Sequence, residues 1–257
     1  MRVATWNVNG LRSRLEFVKL WLRERIPDVV SLQELKLQDD KFPYAEFEAE
    51  GYFATVYGQK AWNGVAVLAR EEPTSLQKGL PGQQEFGSRL LTVEVGGLIV
   101  SSLYCPNGKS VEHEDFARKL AWFESLADHL EGSSAAAGPA IVCGDFNICP
   151  QAIDSYNEAG KAGKIFHTQR ERRVFQSLLD LGFADLYRQL HPQRQAFSWW
   201  DYRAGAFHKN QGLRIDFLLG SDQLPGVSAT EIDRDYRKKQ EGLTPSDHAP
   251  VWADLAT

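Results

Sequence analysis

The sequence predicts an α/β protein in which two mixed β-sheets pack face to face and helices flank them, within one domain spanning residues 1–257. Three observations predict this. The chain opens on a β-α-β pattern. Its middle section reads as paired antiparallel strands rather than further crossovers. In both halves the strands end in Asn, Asp, Glu or His, so two facing sheets would bring those ends to one rim.

Residues 2–6 read as a strand, broken by Asn7-Val8-Asn9-Gly10. Residues 11–25 have helical spacing, with Leu15, Val18, Leu22 and Ile26 on one side, and Pro27 and Asp28 end that helix. Residues 29–32 form a second apolar strand with Gln33 and Glu34 at its end, so the β-α-β unit can set Asn7 beside Glu34. Residues 35–51 look irregular to helical. Residues 52–57, 64–68, 90–95 and 98–103 read as strands, with Asn63-Gly64 and Gly96-Gly97 as turn signals. Tyr104 ends the last of these, and Pro106-Asn107-Gly108 forces a loop. Residues 116–130 are helical on Phe116, Leu120, Phe123, Ala127 and Leu130, and 132–139 look like a flexible connector inside the domain. Ala140-Ile141-Val142-Cys143 is a small apolar strand running into Gly144-Asp145-Phe146-Asn147. Two apart in extended chain, Asp145 and Asn147 leave on the same side; an Asx-type turn is the competing reading. A polar loop covers 150–168, an amphipathic helix 171–181 and an aromatic-rich segment 197–202, and strands at 214–219 and 249–255 follow.

With 257 residues, 43% of them hydrophobic and 25% charged, the chain can bury a sizeable core. A formal net charge of −5 excludes a basic field over the whole surface, so any contact with nucleic acid must be local. The three cysteines, Cys105, Cys143 and Cys149, are odd in number and lack C-x-x-C spacing, which argues against a disulfide framework. Cys143 reads as a small core residue rather than a nucleophile. The first residues lack the apolar stretch of a signal peptide, and no run approaches the roughly 18 apolar residues of a membrane span. These features point to a soluble cytoplasmic protein with no membrane partner, a monomer by default.

The polar residues at strand ends are Asn7, Glu34, Tyr104, Asn107, Asp145, Asn147, Asp216, Asp247 and His248. They supply hard oxygen and imidazole donors without thiolates or an H-E-x-x-H, a set that disfavours zinc and suits Mg²⁺ or Mn²⁺. Such a cation polarises a phosphoryl oxygen and stabilises a leaving oxyanion. Asp216, an acid inside an apolar strand, is costly to bury alone, and His248 is the natural partner. Each residue also has a bland reading: Asn7 and Asn9 as turn formers, Glu34 as a solvated charge, Tyr104 as a half-buried aromatic, Ser246-Asp247-His248 as a capped turn. Their joint placement at the ends of separate strands favours a site.

Trp6-Asn7-Val8-Asn9-Gly10, Leu32-Gln33-Glu34, Gly58-Gln59-Lys60, Tyr104-Cys105-Pro106-Asn107, Gly144-Asp145-Phe146-Asn147, Ser198-Trp199-Trp200-Asp201-Tyr202, Gly212-Leu213-Arg214-Ile215-Asp216 and Ser246-Asp247-His248-Ala249-Pro250 together resemble the exonuclease III and AP endonuclease family of the endonuclease/exonuclease/phosphatase superfamily. The match runs in order over nearly the whole chain. It implies a four-layer α/β sandwich with an active site at one rim, and a Mg²⁺-dependent DNA-repair nuclease (AP endonuclease, 3′-phosphatase, 3′→5′ exonuclease) acting on duplex DNA at abasic sites or 3′ lesions. By position, Glu34 would hold the metal with Asn7, Asp145, Asn147, Asp247 and His248 as further ligands or supports. Asp145 would activate water or protonate the leaving oxygen. Asn147 would orient the nucleophile or stabilise the transition state. His248, paired with Asp216, would bind the scissile phosphate or act as a base. Tyr104 would donate to phosphate or act as an acidic phenol, and Asn107 would contact phosphate. Trp199, Leu213 and Ile215 match positions lining a pocket for a flipped-out, base-less sugar.

Two basic runs, Lys161-Lys164-Arg170-Arg172-Arg173 and Arg234-Arg237-Lys238-Lys239, would flank that rim and track a duplex backbone. Ordinary solvated surface is the plainer reading of both. One departure stands out: where relatives with strong abasic-site cleavage carry a small residue, this chain has Phe166, with His167 as the alternative occupant. A bulky ring there implies a bias toward 3′-end processing. A catalytically silent regulator that binds RNA or protein, or a phosphatase of the same superfamily, is the alternative.

Overall fold

Alternation of side chains along the strands decides the layering. In β1 (Arg2–Asn7), Val3 packs into the central core while Ala4 and Trp6 pack into an outer one. In β8 (Ala140–Asp145), Ile141 and Cys143 face the central core while Ala140 and Val142 face a second outer one. A strand buried on both faces must lie inside a sandwich with a further layer outside it. The structure, a computed structural model, describes residues 1–133, 135 and 138–256. Ser134, Ala136 and Ala137 of the expected connector, and Thr257, lie outside the described residues.

The remaining strands are β2 (Val29–Gln33), β3 (Phe53–Tyr57), β4 (Val65–Ala69), β5 (Thr74–Lys78), β6 (Leu90–Val95), β7 (Leu98–Tyr104), β9 (Phe183–Asp185), β10 (Asp216–Ser221), β11 (Val227–Ile232) and β12 (Val251–Leu255). They form two six-stranded sheets, ordered β11-β12-β1-β2-β4-β3 and β5-β6-β7-β8-β10-β9. Helix α1 (Leu15–Arg25) covers the first sheet with Phe17, Val18, Trp21 and Leu22. Helix α2 (Tyr44–Ala49) adds Phe47 to the same layer. Helices α3 (Glu114–Glu131) and α5 (Gln169–Asp180) cover the second sheet with Trp122, Phe123, Leu126, Phe175 and Leu178. Two short α-helices, α4 (Glu158–Lys161) and α6 (Leu186–Leu190), follow β8 and β9 respectively. The architecture is therefore the expected four-layer sandwich.

Both sheets share one plan. A parallel pair sits at the centre, β1 with β2 and β7 with β8. An antiparallel strand flanks each side of it, β12 and β4 in one sheet, β6 and β10 in the other. The C-terminal ends of the parallel pairs and the N-terminal ends of β10 and β12 consequently meet at one rim. Strand ends were expected to gather there; Asp216 and His248 arrive from strand starts, because β10 and β12 run against their neighbours.

Several local readings change. Residues 11–13 form a 3-10 turn, and α1 begins only at Leu15. Ile26 is not on the buried face; it is 54% exposed at φ 47, since the residue before Pro27 is pushed out of the helical region. The edge strands β5, β9 and β11 and helix α6 have no counterpart in the sequence reading. The long loop 150–168 contains α4 and a 3-10 turn, Ala152–Asp154.

Candidate active site and metal centre

The Gly144-Asp145-Phe146-Asn147 segment is built on two backbone demands. Gly144 lies at φ 147, and a Cβ there would meet Leu103 O at 1.9 Å, so no side chain is tolerated where β8 runs beside β7. Asn147 lies at φ 52 and its N–H donates to Asp145 Oδ1 at 3.0 Å. The Asx turn is thus real, and it, not strand alternation, brings the two side chains to the rim. Asn147 Nδ2 donates to Cys105 O at 3.0 Å, and Asn107 Nδ2 lies 3.4 Å from Asn147 Oδ1.

Opposite stand Asn7 and Glu34. Asn7 Nδ2 donates to Glu34 Oε1 and to Asp145 Oδ2, both at 2.9 Å, so one amide ties the two sheets' carboxylates together. Below them a polar layer bridges the sheets: Gln33 Nε2 is 3.0 Å from Thr5 Oγ1 and 3.3 Å from Ser102 Oγ. Glu34, at φ 53, is also 3.0 Å from Lys36 Nζ. His248 completes the centre. Its Nδ1 lies 2.9 Å from Asp216 Oδ2 and its Nε2 lies 3.8 Å from Asp145 Oδ2. Ser198 Oγ donates to Asp216 Oδ2 at 2.6 Å.

Donor atoms of Glu34, Asp145 and His248 lie within 4.8 Å of one another. This donor set fits a hard divalent cation: carboxylate oxygens and an imidazole, no thiolate, and two acids held close by an amide that cannot neutralise them. Asp247 is not part of this cluster. Its Oδ1 accepts from Asn9 Nδ2 at 2.9 Å and its Oδ2 from Trp199 Nε1 at 3.0 Å. Asn147 faces the Cys105 carbonyl as described. Asn7 acts on the acids through its N–H₂ group, while its Oδ1 accepts from the Asn9 N–H at 2.9 Å.

Electrostatics separate the groups. Burial drives Asp145 upward, opposed by His248 and reinforced by Asp216 and Glu34, so it sits well above the usual carboxylate range. A bound cation would reverse that. Burial alone would lower His248, yet Asp216, Asp145 and Asp247 outweigh it and raise the imidazolium. Asp247 is pushed up by burial, but His248 and its two donors hold it below its ordinary value. Burial, with Glu34 and Asp145, lifts the Tyr104 phenol far up, so it stays protonated and donates. Arg89 braces that ring, with its guanidinium 4.6 Å from the centroid and its Nη1 donating to Tyr104 O.

Leu213, Ile215 and Cys149 form a small buried apolar cluster against which Phe166 and Trp199 pack. Trp199, Leu213 and Ile215 thus lie together, with Cys149 added. Phe166, not His167, faces that cluster. His167 is buried, with Nδ1 3.0 Å from Ile165 O and Nε2 2.9 Å from Ser155 Oγ.

The sequence reading missed the buried pair Lys119–Glu171. Lys119 Nζ donates to Glu171 Oε1 at 2.6 Å and to Asn147 O at 2.7 Å. Its signal was a lysine at the i+3 spacing of the apolar stripe that starts at Phe116. The basic runs are less free than their composition suggests. Arg172 pairs with Glu158, Lys238 pairs with Asp235, and Arg234 stacks 4.2 Å from the Phe207 centroid.

The endonuclease/exonuclease/phosphatase family model matches residues 4–248. An exodeoxyribonuclease III of Haemophilus influenzae is 35% identical over 269 residues, covering 99% of this chain and all of the relative. The solved 3′ phosphatase NExo from Neisseria, bound to a product DNA hairpin, superposes with a TM-score of 0.96 at 37% identity over 100% of both chains. An AP endonuclease from Archaeoglobus fulgidus gives 0.95 at 33%, again over 100% of both. With its sandwich and its rim of acids, amides and histidine in place, the chain belongs to the endonuclease/exonuclease/phosphatase family, in the exonuclease III and AP endonuclease branch of hydrolytic nucleases.

Proposed function

We propose that this chain is a Mg²⁺-dependent DNA-repair nuclease that hydrolyses phosphoesters at abasic sites and at blocked or normal 3′ ends of duplex DNA, with a bias to 3′-end processing. The observation that carries it is the Glu34–Asp145–His248 cluster, drawn together by Asn7 and backed by Asp216. Glu34 and Asp145 would hold the cation, which when bound supplies Lewis-acid charge to the phosphate oxygens. The Neisseria relative, a 3′ phosphatase with product DNA, supports the duplex 3′ end as substrate. Three free, buried cysteines suit a reducing, cytoplasmic setting.

In this reading His248, kept as imidazolium by Asp216, binds the scissile phosphate, and Tyr104 and Asn107 donate to its oxygens. Asn147, fixed by its αL turn, orients the attacking water. As the water oxygen bonds to phosphorus and the bond to the 3′-oxygen breaks, one proton leaves the water and one reaches the departing oxygen. Asp145, placed between Glu34 and His248, handles one of these protons. Phe166 presses its ring against the Leu213–Ile215 wall, leaving less room for a flipped sugar.

Three duplexes test this: one with an abasic site, one nicked with a 3′-phosphate, one undamaged, each with Mg²⁺ or EDTA. The expected result is Mg²⁺-dependent 3′-phosphate release exceeding abasic incision. Activity that persists in EDTA, or none on any duplex, rejects the reading. Phe166→Gly should raise abasic incision relative to 3′-phosphate release, and an unchanged ratio would remove the assigned role of the ring.

A further inference from the structure

Beside the candidate centre, an open groove of about 410 Å³ is lined by Tyr202, Phe207, His208, Arg237, Lys238 and Lys239, among others. It abuts the centre without sharing its donors: Pro245 lines the groove and leads into Ser246-Asp247-His248, and Trp200 N donates to Asp247 O at 3.1 Å. The notable residue is Arg237. It is only 7% exposed, and its guanidinium stacks 4.6 Å from the Tyr202 centroid and 5.4 Å from that of Phe207. Nη2 donates to Trp200 O at 3.2 Å, and the buried Nε has no partner. No carboxylate forms an ion pair with it among the described residues. The one acid lining the groove, Asp201, is taken up by Arg203 at 2.8 Å. The buried Arg214 also has one unpartnered nitrogen, Nη1, but its charge is paired with Asp154 and Asp185, each at 2.7 Å.

A guanidinium does not deprotonate in a protein, and burying one without a counter-charge is costly. Here the cost falls at the wall of an open groove whose mouth carries two exposed lysines, Lys239 and the Asp235-paired Lys238. Asp247 and Asp201 act on Arg237 from beyond ion-pair distance, and Arg14, which donates to Tyr202 OH at 3.2 Å, offsets them with positive charge. An anion with several acceptor oxygens is what such a wall lacks, and a planar fork suits phosphate.

We propose that this groove is a second phosphate site, holding a backbone phosphate of bound DNA away from the scissile bond, with Arg237 as its anchor and Lys238 and Lys239 at its mouth. The proposal rests on the DNA reading above. It makes the substrate's grip bipartite: one phosphate at His248, another beyond Pro245.

The test is equilibrium binding of a 3′-phosphate duplex in EDTA over a salt series, with inorganic pyrophosphate as the small-anion arm. Arg237→Met should bind roughly tenfold to a hundredfold more weakly. Its log K against log salt should be shallower by about one unit. A neutral methylphosphonate at the contacted position should weaken the wild type and leave Arg237→Met unaffected. Thermal melting checks that the variant is folded. If it is not, Lys238→Gln/Lys239→Gln, altered only at exposed side chains, should flatten the slope instead, and an unchanged slope there overturns the proposal. Wild-type binding matched by Arg237→Met in affinity and slope overturns it alone. So does loss in the variant of thermal protection by pyrophosphate with DNA binding intact, which would make the groove a site for free anions. A wild type that neither binds nor cuts duplex overturns the functional reading and this proposal together.

Discussion

Asp216 is buried at the start of β10 and is surrounded by donors: Ser198 Oγ at 2.6 Å and His248 Nδ1 at 2.9 Å. Its charge leads those of Asp145 and Asp247 in keeping His248 protonated against the pull of burial. In metal-free protein, nitrogen NMR of the imidazole should therefore find the His248 pKa raised in wild type and lowered in Asp216→Asn; equal values would contradict the assignment. The same linkage has a sign in stability. His248's folded pKa lies above its unfolded value of about 6.5, so the folded state holds the extra proton. The stabilisation is complete below about pH 6.5 and fades as pH rises through the raised folded value. Melting curves should show the gap between wild type and Asp216→Asn narrowing under alkaline conditions. Strain is stored at this scale too. Glu34 at the centre and Asn147 two residues from Asp145 both have positive φ.

At the scale of elements, α5 does more than cover a sheet. Its capping box, Thr168 with Glu171, fixes a carboxylate at the helix start, and that carboxylate reaches Lys119 on α3. Lys119 then holds Asn147 O, and Glu171 Oε1 accepts the Phe166 N–H at 2.9 Å. Two helices thereby set the loops on which Asn147 and Phe166 stand. Both partners are fully buried. Lys119→Met should cost roughly 3–5 kcal/mol, by leaving the buried Glu171 without its counter-charge, whereas Lys119→Met/Glu171→Gln should recover most of it. Denaturant titration checks this, and equal losses in the two variants would contradict the account. The pair also marks where the sequence was hard to read. Strong periodicity made α1, α3, α5 and the central strands legible, and motifs at strand ends made Asn7, Glu34, Asp145 and His248 legible. The edge strands β5, β9 and β11 carry no such pattern, being short or solvent-facing. The partner of Lys119 lies 52 residues away, a distance that only the packing of α3 on α5 closes.

At the scale of the molecule, the sandwich explains how an acidic chain can address a polyanion. The net charge of −5 is offset locally: the acids converge on one rim where a cation fits, and Arg237, Lys238 and Lys239 line a groove beside it. Two sheets of the same plan supply that rim from opposite sides, so the centre exists only when both halves pack. Among the described residues no helix is long and apolar enough to cross a membrane. The claim on which the whole account turns is that Glu34, tied through Asn7 to Asp145, holds the cation that hydrolysis needs. Release of phosphate from a 3′-phosphate duplex, followed against free Mg²⁺ for wild type and Glu34→Gln, tests it most directly. The account predicts a midpoint shifted to at least about tenfold higher Mg²⁺ in the variant, with folding retained. Coincident Mg²⁺ curves for the two proteins would contradict it.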